Sequence, residues 1–186
     1  MEACGSEAAL IAAATPPAAL PANSAIDIPA KAESPVKPFG QFMKVKGDGE
    51  HCRGYDVELW TQDEKMYGVM SVHRGLCGDP PAGRLENVQF DPRTKKLSFK
   101  AKVSISLDYN DVPSHDVLEF DGFLTPQRLY GTLTTTDQLC PDICKETKTI
   151  DLPRSQERSP WLETYESYQA LEAHIDKIMK FRGPRW

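Results

Sequence analysis

Five cysteines and four histidines hold most of the reactive chemistry available to this chain of 186 residues. Cys52, Cys77, Cys140 and Cys144 lie within the patterned part of the sequence, in or beside loops, and Cys4 stands alone near the front. Thiols so placed point to two disulfides and an oxidising environment. Sequence leaves the pairing open; the preferred one joins Cys52 to Cys77 and Cys140 to Cys144, since Pro141 disfavours a helical Cys140 and leaves room for a small looped bridge. A metal is the competing use. His73-x3-Cys77 and Cys140-x3-Cys144 would together supply three thiolates and an imidazole, a tetrahedral zinc set.

Other reactive side chains form no such group. Ser114, His115 and Asp116 are consecutive, and neighbours in a strand point apart where a triad needs convergence from separate segments. The chain has no Gly-x-Ser-x-Gly elbow, phosphate-cradling glycine loop or HExxH pair. Asp108, Asn110, Asp111 and Asp116 make an acidic loop without the ligand spacing of an EF-hand, and His51 and His174 read as structural or exposed. Net charge is -5, with Lys and Arg scattered along the chain, so nucleic acid is not an expected partner. No cofactor is expected.

These residues must be positioned by a run of strands. Leu97, Phe99, Ala101, Val103, Ile105 and Leu107 alternate with Ser98, Lys100, Lys102, Ser104 and Ser106, giving one apolar and one wet face. The same alternation passes through Tyr67 to Val72, Leu118 to Leu124 and Leu129 to Leu133, placing Gly68, Gly122 and Gly131 on the apolar side. Glycine there lets a sheet bend sharply or accept a bulky neighbour, as closure into a barrel requires. Asp91 to Lys96 and Thr125 to Arg128 read as turns, with Met43 to Lys46, Tyr55 to Trp60 and Thr147 to Leu152 as further strands. The expected fold is mainly β: an up-and-down antiparallel meander of about seven or eight strands, closing into a small barrel or compact sandwich over residues 41–158.

Two appendages flank it. Residues 1–40 are rich in Ala and Pro and read as a flexible tether. Trp161, Tyr165, Tyr168, Leu171, Ile175 and Ile178 recur at helical steps, so a helix is expected from Ser159-Pro160 to Arg182, within a C-terminal segment 159–186 packed on the barrel. A membrane-surface helix is the alternative, given Phe181, Arg182, Arg185 and Trp186.

Ala3-Cys4-Gly5-Ser6 resembles the site at which bacterial lipoproteins are cleaved and acylated, although Glu2 departs from the small or apolar residue of that pattern. The resemblance implies a lipid anchor at Cys4. The meander is similar in topology to the lipocalin and avidin barrels, while the glycine-x-tryptophan signature is absent because Glu58-Leu59 precede Trp60. That similarity implies a small apolar ligand held in a barrel mouth.

The long loop Arg74 to Arg84 and the loop Asp108 to His115 are expected to flank the site, with Arg74, Leu76, Asp79, Tyr109 and His115 as ligand-contacting candidates. The expected function is that of a non-enzymatic, secreted or envelope-anchored binding module for a small apolar ligand or a protein partner. The alternatives are a zinc-dependent envelope protein using His73, Cys77, Cys140 and Cys144, and an assembly factor with a solid core.

Overall fold

A computed structural model of the chain describes residues 34–48, 51–75, 77–78, 80–107, 113–157 and 159–182. Eight strands follow one another: β1 (Lys37–Lys46), β2 (Cys52–Gln62), β3 (Lys65–Gly75), β4 (Ala82–Phe90), β5 (Lys96–Leu107), β6 (Pro113–Leu124), β7 (Arg128–Asp137) and β8 (Lys145–Pro153), then one helix, α1 (Tyr168–Arg182). Each strand pairs antiparallel with its chain neighbour in a single sheet ordered β1 to β8. The meander is therefore complete. It curls into a half-barrel in which Phe42 of β1 bridges to Arg154, the residue that follows β8.

Tight turns occupy the lower end. Asp91 accepts from the Arg93 amide and the Thr94 hydroxyl, both at 2.8 Å, and those hydrogen bonds hold its carboxyl below the usual range. Thr125 likewise accepts the Arg128 amide at 3.0 Å. At the upper end lie the longer connections β1–β2, β3–β4, β5–β6 and β7–β8, with all four paired cysteines in or beside them.

The inner face follows the alternation. Eighteen buried apolar residues form one cluster, with Val57 and Leu59 from β2, Met70 and Val72 from β3, Phe99 and Val103 from β5, Leu118 and Phe120 from β6, and Leu133 from β7 among them. At about 1.5–3 kcal/mol for each large side chain removed from water, this cluster dominates the fold's stabilisation. Gly122 faces Gly131 across β6 and β7, and a Cβ built on Gly122 would sit 2.3 Å from the Tyr130 carbonyl oxygen. That pair lets two backbones close up where the sheet coils.

Two joints in the sheet are incomplete. β3 and β4 share only the register Val69–Ser71 with Ala82–Arg84. Beyond it, a bulge between Glu86 and Gln89, with Asn87 in the left-handed region at φ 52°, turns β4 away. The β1–β8 seam is held at its lower end by the Phe42–Arg154 bridge and by the Ser155 amide donating to the Gln41 carbonyl at 2.8 Å. Above that point the two edges are not joined.

The chain enters the fold earlier than composition implies. Lys37-Pro38-Phe39-Gly40 begins β1 rather than ending a tether, because an irregularity between Pro38 and Gly40 accommodates the proline while Lys37 still pairs with Thr61. The helix starts later than the apolar period implies. Ser159, Pro160, Trp161 and Tyr165 are not helical; the Tyr165 backbone pairs with Val36 in both directions, at 2.8 and 2.9 Å, which a helical residue cannot do. Ser167 is the actual cap, its hydroxyl accepting the Ala170 amide at 3.2 Å.

α1 packs on the outside of the sheet. Leu171 and Ile175 meet Trp60, Val69 and Ala82, joined by Val36 and Leu162 from the flanking segments. The Trp60 indole donates to the Glu163 carbonyl at 3.1 Å, and Arg84 pairs with Glu172 and Asp176 on the helix.

Candidate functional site

Both disulfides form as Cys52–Cys77 and Cys140–Cys144. The first ties the start of β2 to the β3–β4 loop across the upper end, beside the Cys52–Gly75 pair of the ladder. The second closes a short ring in the β7–β8 loop. With every sulfur of these four cysteines oxidised, the zinc arrangement of His73, Cys77, Cys140 and Cys144 has no thiolate to offer and is set aside. Among the described residues, no group of three or more His, Cys, Asp or Glu is placed to hold a metal ion.

The sequence-derived candidates fall unevenly. Leu76, Asp79 and Tyr109, like Cys4, lie outside the described residues. Arg74 and His115 both reach the upper end. Arg74 shares the inner face with Met70 and Val72, and its guanidinium lies 3.4 Å from Asp116 on β6, so this ion pair spans the interior above the core. Burial pushes the Asp116 carboxyl up, and the Arg74 charge opposes that push. His115, one residue along, pairs through its backbone with Ser104 and Gln138 and does not line the seam. His115 and Asp116 accordingly take opposite faces of β6.

The seam between β1 and β8 is the site the upper end builds. Above the Phe42–Arg154 bridge it opens into a cleft of about 720 Å³, within the range of small-molecule sites. Its floor is apolar: Tyr55 from β2, Val72 from β3, and Ile150 and Leu152 from β8. Its rim is basic. Lys44, Lys46, Arg53, Arg74 and Lys148 line it, against the carboxylates of Glu146 and Asp151. His73 also borders the cleft, but it alternates with Val72 and Arg74 and so belongs to the outer face of β3 with Ser71; only 9% exposed, it has no hydrogen-bond partner on either ring nitrogen. Burial first, and then the Arg182 charge, hold its imidazole below the usual range, favouring the neutral form.

A second groove of about 730 Å³ marks the other incomplete joint, between β3 and β4 at the lower end. Its charges are of both signs: Lys65 and Lys96 lie among Glu64, Asp91 and Asp121, and Lys96 is 3.5 Å from Asp121. This groove lacks the one-sided charge of the seam.

Sequence reading missed the seam because its members are far apart. Lys44 and Lys46, Arg53, Arg74 and Lys148 come from four different strands, and their scatter along the chain hides their convergence. One signal was present: Lys44 and Lys46 alternate on the side of Phe42, and so belong to the inner face.

Beneath the end of α1 lies a further polar cluster. The Asp56 carboxyl, on the outer face of β2, accepts from the Gln41 amide at 2.9 Å and leaves its other oxygen buried without a partner. Burial first, then the charge of Glu58, raises it to about 6. Arg182 donates to the Ser71 hydroxyl at 2.9 Å and to the Pro80 carbonyl at 2.7 Å, latching the helix end to β3 and the β3–β4 loop.

These features define an eight-stranded meander half-barrel, stapled by disulfides at one end and clasped by a helix. No protein-family model, curated protein or solved structure matches the chain.

Proposed function

We propose that the protein is a non-enzymatic binding module that takes a small ligand with an apolar body in the seam cleft. The observation that carries this reading is the cleft of about 720 Å³, with Tyr55, Val72, Ile150 and Leu152 as its floor. The packed inner cluster fills the middle of the half-barrel, so the ligand belongs at the seam rather than in a hollow centre. The two disulfides favour an oxidising or extracellular compartment. Secretion, or attachment to the cell envelope through an acylated Cys4, completes the proposal. Among the described residues, no helix is long and apolar enough to cross a membrane.

Mass spectrometry of protein purified from its native host under non-denaturing conditions tests the reading. A bound small molecule is expected. A ligand-free spectrum, combined with a melting temperature unmoved by host lipid extract, counts against it.

A protein partner is the second reading, favoured by a separate observation. Ile143 is 87% exposed and Leu139 54% exposed on the loop that Cys140–Cys144 staples. A rigid loop presenting apolar side chains is a common contact surface.

A further inference from the structure

The register of β1 on β2 places Lys46 directly opposite Arg53, and Lys44 directly opposite Tyr55. All four line the cleft. Like charges directly opposite on adjacent strands destabilise a sheet, so this pair calls for a compensating anion. Among the described residues, none forms an ion pair with Lys46 or Arg53, and Lys44 acts only at longer range, on Asp151. Of the two carboxylates on the lining, Glu146 is 3.7 Å from Lys148, and Asp151 is held by Arg128. Lys148 reaches across the seam from β8 and places its ammonium 5.0 Å from the centre of the Tyr55 ring. The basic groups thus converge on the aromatic part of the floor.

Lysines at open strand edges also deter pairing with other chains, and Lys44, Lys46 and Lys148 lie on such edges. That explanation does not reach Arg53. It lies on β2, which is paired on both sides, and edge protection requires no apolar floor. Nor does the site suit a long polyanion: the chain as a whole carries a net charge of -5, which repels one at distances beyond the cleft.

We propose that the seam cleft binds a small anionic amphiphile, its acid group between Lys46 and Arg53 and its apolar body on Tyr55, Ile150 and Leu152. This rests on the binding reading above and adds the charge of the ligand. The test is calorimetric titration of the full chain with decanoate and with decanol, for the wild type and for the double variant Lys46→Ala/Arg53→Ala. Decanoate is expected to bind one-to-one and about tenfold tighter than decanol at low ionic strength, with the difference shrinking as salt rises. The double variant is expected to lose that difference while still binding decanol, and to melt no lower than the wild type, since both side chains are exposed. A Lys46→Glu/Arg53→Glu variant should invert the preference, binding decyltrimethylammonium over decanoate.

Equal binding of decanoate and decanol, or a decanoate preference that survives both double variants, overturns the anionic inference and leaves the cleft reading standing. Failure of the wild type to bind either compound overturns both.

Discussion

At the scale of single residues, two positions have consequences that can be measured. Asp56 is raised to about 6 from 3.8 in the unfolded chain, so between those values the folded state holds more of its proton than the unfolded state does. Stability from this group is therefore present below pH 3.8 and is lost as pH rises through about 6. His73 and His174 are both lowered by burial, so their stability is lost as pH falls below 6.5, which opposes Asp56 within the same window. Asp56→Asn isolates the carboxylate. The variant is expected to be more stable than the wild type by about 1–2 kcal/mol at pH 7.5, with the gap closing towards pH 4.5. Urea midpoints across that range check it, and a gap constant with pH would contradict the assignment. Gly122 is the second position. Gly122→Val would drive a side chain into the Tyr130 carbonyl and the Phe120 ring, and is expected to cost about 3 kcal/mol or more by thermal melting.

At the scale of elements, strands were more legible than their ends. The alternation is continuous from Leu97 to Val103 in β5, from Leu118 to Leu124 in β6 and from Leu129 to Leu133 in β7, since each stretch has one face on the core and one in water, and sequence records that directly. The sequence pattern shortens β1 because Pro38 and Gly40 resemble linker residues, and only pairing with β2 makes them a strand. The sequence pattern lengthens the helix backwards because Trp161 and Tyr165 continue the apolar steps of Leu171 and Ile175. Tyr165 does pack with Trp60, their rings 6.5 Å apart, but from an extended segment. Periodicity reports which residues are buried; it does not report which backbone partner takes their amides. For α1 itself the expectations are separable. Ser167→Ala removes the cap and is expected to cost about 1 kcal/mol, whereas Leu171→Ala opens a cavity over Trp60 and Val69 and is expected to cost about 2–4 kcal/mol. Denaturant unfolding of both variants checks the ratio.

At the scale of the whole molecule, the two ends differ in what secures them. In the loop-entropy account, the Cys52–Cys77 bridge, with a sequence separation of 25, restricts the unfolded chain by about 3.5 kcal/mol, and Cys140–Cys144, with a separation of 4, by about 2 kcal/mol. Cys52→Ser/Cys77→Ser is accordingly expected to lower the melting temperature more than Cys140→Ser/Cys144→Ser does, and calorimetry decides between them. The location of the loops was readable in sequence through their glycines, prolines and cysteines. The cleft was not, since it exists only where the first and last strands approach. The one-neighbour pairing of the meander also sets an order of assembly. Every hairpin from β1–β2 to β7–β8 closes a short loop at small entropic cost, whereas Phe42 must find Arg154, and Val36 must find Tyr165, across most of the chain. These two clasps are then the last contacts to form and the first to let go, so amides beside them should exchange with solvent hydrogen well before those of β5 and β6.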